Sequence, residues 1–243
     1  PFYVMEHVAG RIFWNPRLPE VPAEGRAAIF RGMNEALARL HSVDPAAVGL
    51  GDFGRYDGYI ARQVARWSKQ YVGDQDAAGR VEALERLIDW LPRHLPPTEP
   101  AAAVVHGDFR IDNLMFEPAA PRVLAVVDWE LSTLGQPMSD LAYFCMALRL
   151  PRNPVIPGLA GLDRAALGIP DEQGLVAQYR AHGGRVDDSH WRFCLAFNFF
   201  RLAAIAQGVA RRALQGNASS ERAQATGNLA GAIAEQGREV AGV

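Results

Sequence analysis

The sequence predicts an α+β fold, mainly helical, with one small β-hairpin set among the helices. Long stretches carry apolar residues at helical spacing. Two short β runs, residues 113–116 and 123–127, are joined by EPAAPR as a hairpin would be. The polar residues that break the apolar pattern gather at that hairpin.

Taken in order, residues 2–8 are β-branched or aromatic and read as a strand, followed by a Pro-containing loop over 10–22. Residues 24–41 place Ile29, Met33, Leu37 and Leu40 on one helical face. Residues 56–71 and 81–91 are two more helices, the second stopped by Pro92. HLPPTEP is a loop, and Val104-Val105 opens a short strand. After the hairpin, 138–150 is helical, and 151–170 is a Pro- and Gly-rich loop of the kind that forms lids or substrate walls. Helices are expected at 172–182, at 188–214 with Asp187 or Asp188 as N-cap, and at 220–240.

The 243 residues suffice for one large domain or two small ones. Apolar residues make up 49% and charged ones 21%, the balance of a soluble globular protein. A formal charge of −2 gives no sign of nucleic-acid or anionic-membrane binding. Cys145 and Cys194 lie in apolar, helix-like surroundings and read as buried thiols in a reducing cytoplasm. No signal peptide is visible, and no apolar run is expected to approach the roughly 18–20 residues of a membrane span. Lys69 is the only lysine; every other basic side chain is Arg or His.

VVHGDFRIDNLMF, residues 104–116, is the segment that demands explanation. A buried strand ends in a carboxylate only if something pairs with it. Asp108 and Asn113 lie five residues apart between β segments, and Asp128 ends the apolar run LAVV. Folding the hairpin brings Asp128 back beside Asn113. Two oxygen ligands of this kind suit Mg²⁺, which completes its shell with water and phosphate. Asp108, offset from them, is placed to take a proton from an attacking hydroxyl.

HGDFRIDN resembles the HGDxxxxN catalytic loop of the aminoglycoside phosphotransferase-like kinases, a group that includes choline kinase-type enzymes. VVDWE resembles their metal-binding segment, LGQPMSDLAY the motif that follows it, and FYVMEHVAGR the hinge between lobes. With WSKQY, the set is most similar to the kinase-like domains related to those fused to acyl-CoA dehydrogenases. The resemblance implies a protein kinase-like fold, with residues 1–10 as hinge strand and linker and residues 11–243 as the C-terminal, catalytic and substrate-binding lobe. It implies Asp108 as catalytic base, Asn113 and Asp128 as Mg²⁺ ligands on the phosphates of ATP or GTP, and Asp140 and His106 as supports of the catalytic loop. The Glu6 carbonyl and Val8 amide would contact the adenine. Arg110 would offset charge on the transferring phosphoryl group.

That family also uses an N-terminal lobe with a phosphate-covering loop and a Lys–Glu pair. The chain starts at the hinge, so that lobe is expected to be missing from it, and the polypeptide alone is expected to be inactive. Lys69 falls after the hinge and cannot serve as the phosphate-positioning lysine.

Other signals are weighed against plainer readings. GLGDFG, residues 49–54, formally matches a dinucleotide-binding pattern but lacks the strand before it, and reads as a loop. Trp67 and Tyr71 on an amphipathic helix read as core. Asn198 and Arg201 interrupt an apolar helix, and either line the acceptor pocket or satisfy neighbouring loops. The function expected is phosphorylation of a small-molecule hydroxyl, with a hydroxyacyl-CoA or similar metabolite as acceptor, and without nucleic-acid or membrane partners. The alternatives are an aminoglycoside kinase, a non-catalytic nucleotide-binding or interaction domain, and a metal-dependent hydrolase using His106, Asp108 and Asp128. The sequence leaves the oligomeric state open.

Overall fold

A computed structural model describes residues 4–97, 102–214 and 221–243. Helices α1 (Ala23–Ser42), α2 (Tyr59–Ala78) and α3 (Glu82–Trp90) come first. Four short strands follow: β1 (Ala103–Val105), β2 (Leu114–Phe116), β3 (Val123–Val126) and β4 (Thr133–Gly135). The chain then returns to helix in α4 (Pro137–Met146), α5 (Glu172–Ala181), α6 (Asp188–Leu214), α7 (Glu221–Gly227) and α8 (Ala230–Ala241). The fold is α+β and mainly helical, as the apolar spacing predicts.

The strands form two antiparallel pairs. β2 and β3 make the expected hairpin, with Leu114 opposite Val126. β1 pairs with β4 instead, Ala103 opposite Gly135 and Val105 opposite Thr133. β4 was read as part of a motif and not as a strand; it is three residues long, too short to show alternation. The long C-terminal helix expected over 220–240 is broken at residues 228–229 into α7 and α8. Asp187 caps α6, accepting the Ser189 amide proton at 2.9 Å.

The N-terminal strand is not observed among the described residues. Residues 4–10 have no regular structure, and only Arg11 bridges to Phe116 at the open edge of the hairpin. β-branched composition does not make a strand without an edge to pair with. Val4 and Met5 are exposed.

Two apolar clusters build the core. One joins α2, α3, α6 and α8, the other joins α1, α5 and the hairpin. α4 is shared: Met138, Ala142, Tyr143 and Met146 face the first, and Leu141, Phe144, Cys145 and Leu148, just beyond its end, the second. Every residue from Met138 to Met146 is buried, so a polar residue on α4 must be answered by the protein itself. Asp140 and Tyr143 are the two that matter. Contrary to the expectation that no apolar run reaches membrane-spanning length, α6 has the length and apolarity to cross a membrane, its few polar residues being spread along 27 positions. Its apolar window is 83% buried inside the protein, as for a core helix.

Candidate active site

The catalytic-loop segment leaves β1 at Val105 and reaches β2 through a 3-10 turn, Ile111–Asn113. Asp140 holds its start. One carboxylate oxygen accepts the His106 amide proton at 2.5 Å and the other accepts that of Gly107 at 2.9 Å. His41 completes the set, with Nε2 at 3.4 Å from Asp140 and Nδ1 at 2.6 Å from the Tyr179 hydroxyl. Burial alone would raise the Asp140 carboxyl. The hydrogen bond and charge of His41 and the two loop amides outweigh it and hold the group below the ordinary carboxylate value.

Gly107 is required where it stands. Its φ is +81°, and a Cβ there would sit 2.6 Å from the Leu131 carbonyl oxygen. His106 is fully buried. Its Nδ1 accepts the Asp108 amide proton at 3.1 Å and its Nε2 donates to the Val127 carbonyl at 2.9 Å, a pattern that assigns the neutral Nε2–H tautomer. One imidazole thereby ties the catalytic loop to the end of β3.

Asp108 is the next residue. Its Oδ1 accepts the Tyr143 hydroxyl proton at 2.5 Å, and its Oδ2 accepts from Asn113 Nδ2 at 3.1 Å. Asn113 Nδ2 also donates to the Asp108 carbonyl at 2.9 Å. The Asn113 amide nitrogen is thus committed to the loop. Its oxygen takes no hydrogen bond among the described residues.

The hairpin brings Asp128 to the same end. Val127 donates its amide proton to the Asn113 carbonyl at 3.0 Å, and Asp128 follows directly. Asp128 is exposed and sits in the left-handed region, φ 65° and ψ 60°. That conformation costs an L-residue about 1–2 kcal/mol. Its carboxylate forms no hydrogen bond or ion pair among the described residues. Among the described residues no three His, Cys, Asp or Glu side chains gather into a metal site. The Asn113 and Asp128 oxygens are hard donors of the kind Mg²⁺ takes alongside phosphate and water.

Beside the loop lies a cavity of about 290 Å³. Arg110, Asp112 and Tyr143 supply its polar lining, and Phe30, Met33, Phe109, Phe144 and Leu150 its apolar part. Pro154–Pro157, from the loop expected to wall a substrate, closes one side. Arg110 is half-exposed. It is ion-paired with Asp112 and lies 3.9 Å from Asp108. Burial lowers the guanidinium pKa, but the neighbouring Tyr143, Asp108 and Asp112 raise it further, so the charge is fixed.

The remaining expected residues fall elsewhere. Asn198 is fully buried, and its amide donates to the Ser139 carbonyl at 2.8 Å and the Cys194 carbonyl at 2.9 Å. It braces α4 against α6 and is absent from the cavity lining. Its amide nitrogen is answered by backbone, whereas its Oδ1 is buried without a partner among the described residues. Arg201 is 4% exposed and also outside the lining. Its guanidinium lies 5.1 Å from the centre of the Tyr143 ring. Glu6 is exposed and Val8 half-buried in the irregular N-terminal segment. GLGDFG is a loop, as expected. Sequence reasoning missed Tyr143, His41 and Tyr179. Tyr143 stood three residues after Asp140 in LGQPMSDLAY, one helical turn away and able to reach the same loop.

The profile described as "Phosphotransferase enzyme family" matches residues 1–177. Mouse acyl-CoA dehydrogenase family member 10 is 47% identical over 236 residues, 97% of this chain and 22% of that protein. Rat acyl-CoA dehydrogenase family member 11 is 42% identical over 240 residues, 98% of this chain and 31% of that protein. The chain thus spans less than a third of either relative. A Ralstonia eutropha crystal structure, described as an aminoglycoside phosphotransferase, superposes with a TM-score of 0.92 at 46% identity. The match covers 98% of this chain and 72% of that one. A spectinomycin phosphotransferase solved with ADP and spectinomycin shares the fold alone, at a TM-score of 0.53 and 14% identity, over 95% of this chain and 70% of that one. Profile, relatives and superposition agree with the loop geometry, and the chain belongs to the phosphotransferase enzyme family.

Proposed function

We propose that this chain is the large lobe of a magnesium-dependent small-molecule kinase that moves the terminal phosphoryl group of ATP, or GTP, onto an alcohol. One observation carries the reading: the Asp108 carboxylate accepts from Asn113 through Oδ2 and, through Oδ1, from the hydroxyl of Tyr143, which lines the cavity. Asn113 and Asp128 would hold the metal–nucleotide, and the bound ion would neutralise charge on the phosphate oxygens. Asp108 aligns the acceptor hydroxyl and takes its proton as that oxygen bonds to phosphorus and the bond to the departing nucleoside diphosphate breaks. Arg110 adds fixed positive charge beside the path.

The acceptor we favour is a hydroxylated acyl thioester. The cavity body is apolar, and its one carboxylate, Asp112, is already paired with Arg110. A polycationic aminoglycoside would find little to bind. The names of the acyl-CoA dehydrogenase relatives support this choice, against the aminoglycoside phosphotransferase name of the Ralstonia structure.

The test is a screen of the full-length protein with labelled ATP and Mg²⁺ against hydroxyacyl-CoA thioesters and aminoglycosides. Label should pass to a thioester hydroxyl. Asp108→Ala should lower the rate by about 10²–10⁴-fold, the usual share of a general base, and leave nucleotide affinity within about threefold. Transfer that persists in the variant removes Asp108 from its role, and turnover without nucleotide supports a hydrolase instead.

A further inference from the structure

We infer that Tyr143 is the positioning residue of the catalytic carboxylate, holding Asp108 in the one orientation from which it can receive the acceptor's proton. The inference rests on the kinase reading above and adds a residue to it.

Asp108 is pinned from two sides. Asn113 comes from its own loop, and Tyr143 comes from α4, on the opposite wall. A carboxylate has about four acceptor positions, so two hydrogen bonds fix its plane and still leave lone pairs for substrate. Without the tyrosine hydroxyl, only Asn113 would restrain the side chain, and rotation about χ2 is soft for Asp. Effective catalysis tolerates little of that rotation, because a misplacement of about 1 Å costs on the order of 10²-fold.

Tyr143 itself has no freedom to follow. Its ring is 5% exposed and packed in the core cluster of α2, α6 and α8. Arg201 from α6 covers one face at 5.1 Å. The Arg201 Nε and Nη2 atoms are buried and take no hydrogen-bond acceptor, so the ring face is one of the few contacts open to the cation. A cation over the ring face draws electron density from the phenol and strengthens its O–H as a donor. Burial, followed by the nearby Asp108 charge, pushes the phenol far above its ordinary value. Tyr143 therefore remains a proton donor to Asp108 throughout the working range and does not compete with it as base. The same residue contributes to the polar lining of the cavity, so the acceptor and the base are registered against one rigid ring.

The experiment is Tyr143→Phe in the full-length protein, which removes one oxygen and keeps the packed volume. Two readouts are taken together. In steady-state assays with labelled ATP and the hydroxyacyl-CoA that the wild type accepts best, kcat should fall about 10–100-fold while the acceptor KM, the Mg-nucleotide affinity and Tm stay near wild type. In a crystal structure of the variant, the Asp108 carboxylate should rotate out of the plane it shares with Asn113 or occupy two orientations. An unmoved Asp108 overturns the inference, and so does a kcat within threefold of wild type or a loss traced to KM or Tm. A wild type that transfers phosphate to none of the acceptors defeats the kinase reading, and the variant crystal then still decides what holds Asp108.

Discussion

Asp140 and Asp128 are linked through His106, which bonds the first and the carbonyl just before the second, yet they have opposite environments. Asp140 is 1% exposed, and each of its oxygens is taken by a loop amide. Asp128 is exposed, strained in the left-handed region and unpaired among the described residues. A carboxylate answered by the protein does structural work, and one left unanswered at the cost of backbone strain is open to the metal–nucleotide proposed above. The division runs through the whole site. The root of the catalytic loop is over-determined by Asp140, His106 and Gly107, whereas its working edge carries the uncommitted oxygens.

The sharpest way to break this contrast is at Asp140. Asp140→Ala strands two buried amides and the His41 imidazole. The expected loss of stability is about 3–5 kcal/mol, that of removing one partner from a buried charged network. Denaturant unfolding of the variant checks it, and a loss under about 1 kcal/mol would show that the loop holds itself. The pH dependence follows from the direction of its shift. The folded state binds the Asp140 proton less readily than the unfolded chain, whose ordinary value is 3.8. Its contribution is complete above that value and is lost as pH falls through the lower, folded one. Wild type should therefore lose stability more steeply than Asp140→Asn on acidification below about pH 4.

At Asp128 the contrast predicts the opposite sign. Asp128→Gly relieves about 1–2 kcal/mol of left-handed strain and returns roughly 0.4–1 kcal/mol through the freer unfolded chain. Net stability should be unchanged or higher by up to about 1 kcal/mol, while Mg-dependent nucleotide affinity falls at least about tenfold, or 1.4 kcal/mol. Calorimetric titration at limiting Mg²⁺, beside a melting curve, tests both halves. A variant that is destabilised and still binds nucleotide would make Asp128 a structural residue.

How far the sequence foretold this follows the same line. Helices with a clear apolar face, such as α1 and α6, were legible because periodicity reports burial directly. The hairpin was legible from its two short apolar runs and the turn-like EPAAPR between them. Pairing was not legible: β1 joins β4 across 27 intervening residues, and three-residue strands carry no register signal. Nor was the use of polar residues inside helices. Asn198 and Tyr143 look alike in sequence, each polar in an apolar helix, yet one answers backbone carbonyls and the other the catalytic base. Only the three-dimensional partner separates them.

The loop over residues 151–170 offers the smallest effect and the finest test of the comparison, because it belongs to the working edge but is tied at its base. Arg149 and Glu172 flank it and form a bidentate pair at 2.6 and 2.9 Å, with Trp191 Nε1 also donating to Glu172 at 3.0 Å. The pair looks like a clasp for the wall formed by Pro154–Pro157. Yet the Arg149 side chain is 43% exposed, and exposed pairs contribute about 0.2–1 kcal/mol. Backbone hydrogen bonds at 2.9 and 3.0 Å, from Leu159 to Ala147 and from Ala160 to Leu150, also pin the segment. These buried bonds do not weaken with salt, and they outrank the ion pair. Arg149→Ala should therefore cost no more than about 1 kcal/mol, with the difference shrinking toward zero by about 1 M salt as screening shortens to roughly 3 Å. Acceptor KM should rise less than about threefold. A larger, salt-sensitive rise in KM would mean that the clasp, and not the backbone, sets the wall against which the acceptor is held.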